Sequence, residues 1–516
     1  MVKSQQVRSE RRPGNARASA IILTACIAQI MIVLDSTIVV VALPQAQTEL
    51  GFSQGDRQWV ITAYTLAFGA LLIVGGRVAE RWGLVPSYRT AILGFGLASA
   101  VGGMSTSLGM LLAARVAQGT FAALLGPTNL AMVSTGFQVP EQRDKAFGAF
   151  GATAGAGAAL GLVLGGVLTE YAGWRWCFYV NIFFALAGLL LIRRAAALFP
   201  SGGQSRTRTD YPALVVGSLA MFSLVYGLSQ AATHPWVSVQ VLAFIGAGIL
   251  LGAGFVVRLR HASHPLLPPG LLSSRVRLGA CLVVLAVGVA QLVTSLYLTY
   301  FFQRIQGWSA LATGMAMTPL VGGLVIAAVV SSGVLVPKFG SAVVFAGGLV
   351  TLAAGFGVLS QLDPTWSYFP WMLVAMVVVG AGIGAIMPVA VSVITAGVNP
   401  QHAGVASSLS NSCQQLGGSL GVAAATSFAV SQTAQYLTGH SANVKEVVAQ
   451  RLQVAGTSPD SPVGRQIVAS VQQQFLHNGE TWAYARGFFG LIVIYVAIAA
   501  VVFALTRTRA VASEEI

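Results

Sequence analysis

Charge is what this sequence has least of: only 9% of its 516 residues are Asp, Glu, Lys or Arg, and only 15 are acidic. A soluble domain carries about 25% charged residues, so so few charges cannot cover a water-facing surface of this size. Cysteine is equally sparse. Cys26, Cys177, Cys281 and Cys413 lie in or beside apolar segments and form no CxxC pair or His/Cys cluster, which excludes a zinc finger or a dithiol redox motif. No GxxxxGK[ST] phosphate loop occurs, so the chain does not encode an ATP-driven pump. It also has no nucleophile–base or metal-ligand constellation. The chain is therefore not expected to be an enzyme, and is expected to work without metal or cofactor.

What the sequence has in abundance is apolar residues, at 55%. They come in runs. A bilayer core asks for about 20 apolar residues per helix, and about fourteen segments qualify, near 20–43, 57–78, 89–108, 110–135, 146–170, 174–196, 211–231, 238–259, 277–302, 311–335, 341–361, 369–396, 404–429 and 484–506. The first follows a basic stretch, as a signal peptide would, but exceeds the roughly 7–15 residues of a signal core and reads as a transmembrane helix. The fold class expected is an all-α integral membrane protein.

The net charge of +14 forms no single patch, so nucleic acid is not an expected partner. With a cytoplasmic N-terminus, the inner segments hold Lys and Arg over the outer ones by about three to one, so both termini are expected inside. Arg57, Arg175, Arg304, Lys445, Arg451, Arg465 and Arg486 fall to the outer side, and Arg115 falls within a span. The polar stretch near 430–483 reads as an external loop, with Val444 to Val454 as a short amphipathic helix. Two inner loops, Gly76 to Gly83 and Gly333 to Gly340, share a Gly-x6-Gly frame with a basic residue and an aromatic before the second glycine. That repeat fits two six-helix bundles with two helices inserted between them. The division is a basic cytoplasmic N-terminus (about 1–19), a first bundle (about 20–196), a linker with the inserted helices (about 197–276), a second bundle with the external loop (about 277–506) and a cytoplasmic tail (about 507–516).

Asp35 is the one acid read well inside an apolar span, and Arg115 the one strong base. An intramembrane acid is costly unless paired, protonated or hydrated, which makes Asp35 a candidate proton carrier; the alternative is a structural hydrogen bond. Arg115 cannot release its proton, so it can only bias a neighbour or clamp helices; Gln118, three residues on, shares its face. Gly76, Arg77, Glu80, Arg81, Gly83 and Arg89 form a charged inner loop able to make switchable ion pairs, or serving only as a topogenic cluster. Gly157, Gly161, Gly165 and Gly166, with Gly151 and Gly155 before them, read as a close helix interface.

Together these residues resemble the major facilitator superfamily, and within it the fourteen-helix drug:proton antiporters of the EmrB/QacA type. Leu34-Asp35 to Pro44 is similar to the first-helix motif LDxTIVNVALP, with Val40 for Asn. Gly76 to Gly83 resembles GxLADRxGR, with Glu80 for Asp. Arg115 to Gly119 resembles RxxQG, and Trp174 to Asn181 resembles WRWxFxxN. Ala403 to Ser407 and Gln415 to Gly418 are similar to the late AGxAS and QLGG pattern. In the fifth helix the family's Gly-Pro pair is Gly161-Leu162 here.

The resemblance implies that Asp35 couples to protons, Arg115 serves proton transfer, and Glu80 with Arg81 gates the inner face of two rocking bundles. It implies a monomeric, multi-pass protein of a bacterial plasma membrane, with lipid, protons and a small hydrophobic substrate as its partners. No second deep acid is evident, so the substrate is expected to be neutral or singly cationic, such as an antibiotic. A metabolite or nutrient carrier on the same fold is the rival reading, since fold does not fix substrate; a membrane sensor is a further one.

Overall fold

The computed structural model describes residues 15–53, 55–137, 153, 157–158, 160–199, 210–231, 234–261, 274–396 and 403–506. Several expectations fall outside them: the basic residues Lys3, Arg8, Arg11 and Arg12, Arg143 and Lys145, the start of the fifth span with Gly151 and Gly155, most of the 197–210 linker, and the tail from 507.

Long apolar runs become helices because only an intrasegment ladder satisfies backbone polar groups in lipid. Eleven helices among the described residues are long and apolar enough to cross a membrane. In chain order the helices are α1 (Asn15–Leu50), α2 (Arg57–Trp82), α3 (Leu84–Gly103), α4 (Leu108–Gly136), α5 (Leu160–Tyr171), α6 (Trp176–Ala195), α7 (Tyr211–Gln230), α8 (Val239–His261) and α9 (Arg275–Tyr300). They continue as α10 (Ala310–Ala316), α11 (Thr318–Val330), α12 (Val336–Leu359), α13 (Leu373–Thr395), α14 (Ala403–Gly439), α15 (Ser441–Ala455) and α16 (Pro462–Thr506). The stretch from Ala310 to Leu359 counts as one of the eleven but is broken at Gly340; α5 is a shorter apolar helix, and α14 is not counted among the eleven.

The break at Gly340 carries the internal repeat. Gly83 has φ 90° and ψ 158°, and Gly340 has φ 77° and ψ 166°. This region is essentially closed to residues with a Cβ. Both repeated loops therefore end on the same glycine-only turn, one in each bundle.

Between the bundles, α7 leans on both. Leu214 and Ala213 pack beside Ile73 and Val74 of α2 and Leu409 of α14. Gln58 Nε2 donates to the Ser229 carbonyl at 2.9 Å. In the C-terminal bundle the Gln415-to-Gly418 motif is a packing device: a Cβ on Gly417 would lie 1.9 Å from the Leu285 carbonyl of α9.

The polar segment near 430–483 is more helical than a loop: α14 reaches Gly439, α15 spans Ser441–Ala455, over the Val444–Val454 stretch expected to be helical, and α16 starts at Pro462. Hydropathy falls where a helix leaves hydrocarbon, and a helix has no need to end there. Reporter fusions test the topology. A C-terminal fusion is expected to report the cytoplasm and one within α15 the exterior; an external C-terminus would contradict the arrangement.

Candidate functional site

Five helices converge on Asp35, which is fully buried. Its Oδ2 lies 2.5 Å from Arg115 Nη1. Its Oδ1 accepts from Gln118 Nε2 and from Asn181 Nδ2, each at 2.9 Å. The partners are themselves held. Arg115 Nε donates to the Val60 carbonyl at 3.0 Å, Nη1 also reaches Gln118 Oε1 at 2.9 Å, and the guanidinium lies 4.5 Å from the Tyr64 ring centroid. Gln118 Nε2 donates again to Ser99 Oγ at 2.7 Å. The spacing of Arg115 and Gln118 puts both on one face of α4, aimed at α1. Two buried polar atoms beside this network, Asn181 Oδ1 and Tyr64 Oη, have no hydrogen-bond partner among the described residues.

The two charges read separately in the sequence are thus one buried pair. An arginine cannot discharge the pair by losing its proton; of the two groups only a carboxylate can be neutralised. Protonation would turn one carboxylate oxygen from acceptor to donor in front of Arg115 and weaken the link between α1 and α4. Asn181 is a residue whose role the sequence reading did not assign; its position at the end of the Trp174-to-Asn181 motif was the available signal. The start of that motif fixes the other end of α1. Trp174 Nε1 donates to Glu49 Oε2 at 2.6 Å, and Arg175 pairs with Glu49.

The fifth-helix glycines sit against the stretch of α1 that carries Asp35. A Cβ on Gly157 would meet Ile30 and Val33, one on Gly161 would meet Thr37, and one on Gly165 would meet Ile38. Gly166 faces the other way, where a Cβ would lie 2.7 Å from the Ala310 carbonyl in the C-terminal bundle. Leu162, in the place of the family's proline, presents its carbonyl to Gly314, whose Cβ would stand 2.2 Å from it. Helix α5 therefore lies between the helix of Asp35 and the opposite bundle.

At the inner loop, Arg77 Nη1 pairs with Glu80 Oε2 at 2.6 Å, while Arg81 Nη1 donates to Tyr211 Oη of α7 at 2.6 Å. Arg77, Glu80, Arg81 and Arg89 were the charges expected to form ion pairs here, and Arg77 with Glu80 does so. Adjacent helical residues do not face each other, whereas i and i+3 do, so Glu80 takes Arg77 and Arg81 reaches the inserted helix. Gly76 packs beside Pro127 of α4. Gly83→Leu forces a side chain into the glycine-only turn at a cost of about 1–3 kcal/mol. The protein is expected to reach the membrane at normal levels with transport lost; unchanged transport would make this loop a charge cluster only.

A second buried charge cluster was missed. Arg57, read as an outer-loop residue, is 1% exposed, and its guanidinium carbon lies 4.1 Å from the Tyr300 ring centroid of α9. Glu480, placed in the external loop, is 5% exposed and acts on Arg57 electrostatically with Tyr484. Arg57 Nε and Nη1 have no hydrogen-bond partner among the described residues. Around it Tyr300 Oη donates to Gln47 Oε1 at 2.9 Å, Gln303 Nε2 donates to the Val41 carbonyl at 3.1 Å, and Leu311 N donates to Glu170 Oε2 at 3.0 Å. These contacts join the two bundles at their outer ends.

Comparison with known proteins agrees with this architecture. The model of the family described as the Major Facilitator Superfamily matches residues 25–422. The puromycin resistance protein of Streptomyces alboniger is 42% identical over 417 residues, covering 80% of this chain and 82% of its own. The cephamycin export protein of Amycolatopsis lactamdurans is 33% identical over 418 residues, covering 80% and 85%. Among solved structures, a peptide transporter of the POT family in complex with sulfate aligns at TM-score 0.64 and 15% identity, over 96% of this chain and 97% of its own. A bacterial homologue of the human lysosomal transporter Spinster, inward-facing and unoccupied, aligns at TM-score 0.62 and 16% identity, over 96% and 98%.

Proposed function

The chain belongs to the major facilitator superfamily, and from that premise we propose that it exports a hydrophobic small molecule, of the antibiotic or drug class, across the plasma membrane in exchange for protons. The observation that carries the coupling is the buried Asp35–Arg115 pair. A charge pair without a task is a poor investment of burial, because apolar residues of similar volume often stabilise a protein as well or better. Asp35 takes an external proton, the pair with Arg115 loosens, and α1 and α4 shift against α5 and the opposite bundle. Release of the proton inward restores the pair. At a membrane potential of −100 mV, one charge moving inward contributes about 2.3 kcal/mol, and a pH gradient adds to it.

The substrate class follows from charge and from kinship. Asp35 and Glu480 are the buried acids among the described residues, and each faces an arginine, Arg115 and Arg57. Neither presents a net negative charge to a ligand, which favours a neutral or singly cationic molecule over a dication. Similarity to puromycin resistance and cephamycin export proteins favours export over uptake of a nutrient. The test is growth of a sensitive host expressing the chain on a panel of antibiotics and dyes. Raised tolerance to a subset of neutral or monocationic compounds, with lower intracellular accumulation of the same subset, is expected. Unchanged tolerance with enhanced uptake of a metabolite would favour the carrier reading.

A further inference from the structure

A cavity of about 1020 Å³ opens on the outer side of the C-terminal bundle, away from the Asp35 network. It lies between the turn after α12, the outer part of α14 and one face of α16, where Gln474, Asn478, Arg486 and Phe489 follow one another. Its depth in the bilayer follows from helix geometry. Counted back from Thr506, the last described residue of α16, which Arg507 and Arg509 follow in the sequence as inner-side charges, Arg486 lies about 30 Å along the helix, one hydrocarbon thickness. The cavity therefore straddles the outer boundary between lipid and water.

Its lining changes character across that boundary. On the water side stand the amides of Gln474 and Asn478 and the carboxylate of Asp363. Asp363 Oδ1 accepts from Thr365 Oγ1 at 2.6 Å and Thr365 N at 2.9 Å, which holds its carboxyl below the usual range. At the boundary the Arg486 guanidinium lies 4.1 Å from the Trp482 ring centroid. On the lipid side Phe428 and Phe489 line the floor, and exposed Val493 and Ile494 continue the apolar stripe along α16.

We propose that this cavity is a binding site for an amine-bearing zwitterionic phospholipid of the outer leaflet, with its phosphodiester on Arg486, its ammonium on Asp363 and an acyl chain along Phe489. Opposite charges at the mouth match such a headgroup, whereas an anionic lipid would meet Asp363 with like charge. The site is separate from the transport reading and stands if that reading fails.

The test uses the purified, delipidated full chain and native mass spectrometry with phosphatidylethanolamine and phosphatidylglycerol. Wild-type protein is expected to retain phosphatidylethanolamine preferentially. Loss of one charge-assisted contact in Arg486→Ala is expected to weaken that retention about tenfold. Asp363→Asn is expected to bring phosphatidylethanolamine down to the level of phosphatidylglycerol. A brominated-acyl phosphatidylethanolamine is expected to quench Trp482, with the quenching reduced in Trp482→Phe. Equal retention by wild type and both charge variants, or equal retention of the two lipids by wild type, would overturn the proposal. So would competition by free phosphoethanolamine at the same concentration as the lipid, which would reduce the site to one for a soluble phosphate.

Discussion

Asp35→Asn is expected to reduce export against a gradient to the level of empty vesicles while substrate binding persists. The substitution keeps the size of the side chain and removes its titration. It also changes the local hydrogen bonding. Asp35 accepts from Arg115, Gln118 and Asn181 through two oxygens, and an amide offers one oxygen and an NH2 group that only donates. At least one of the three donors then faces another donor. Asp35→Glu keeps the carboxylate at a shifted position, and partial export is expected from it. The measurement is substrate efflux from loaded vesicles under an imposed pH gradient, with equilibrium binding of the same substrate measured in parallel. Wild-type rates in Asp35→Asn would return Asp35 to a structural role. Glu170, which caps α10 through Leu311, would then be the next acid to test.

The second large effect concerns stability. Arg115→Met is expected to cost about 3–5 kcal/mol, because it leaves a buried carboxylate without its counter-ion. Removing both charges, in Asp35→Asn with Arg115→Met, is expected to recover most of that loss, since apolar or neutral replacements of a whole buried pair are often neutral or better. Thermal unfolding of the detergent-solubilised variants measures both. The double variant is expected to melt close to wild type and still fail to export. A double variant as unstable as the single one would mean that Arg115 supports α4 mainly through the Val60 carbonyl and the Tyr64 ring, and that the charge pair contributes little.

Much of this arrangement was legible because the bilayer makes charge conspicuous. Asp35 and Arg115 stood out as isolated charges in apolar runs, and the repeated Gly-x6-Gly frame marked two loops that share one glycine-only turn at Gly83 and Gly340. Their pairing was not legible, because residues so far apart in sequence carry no spacing signal until α1 and α4 cross. Asn181 stayed hidden for the same reason. Arg57 was misread because it opens an apolar run, where loop charges ordinarily lie; contact with Tyr300 of the opposite bundle buries it. Glu480 was misread because hydropathy locates the hydrocarbon and not the end of a helix, and α16 begins well outside the apolar segment, at Pro462.

Proton movement driven by substrate tests the central claim most directly. Protein reconstituted in vesicles under an imposed pH gradient, with a pH-sensitive dye on one side, is given substrate on the side from which it is exported. Wild-type protein is expected to dissipate the gradient in proportion to the substrate moved, and Asp35→Asn is expected to leave it intact. Substrate movement by wild-type protein with no accompanying proton flux would contradict the account.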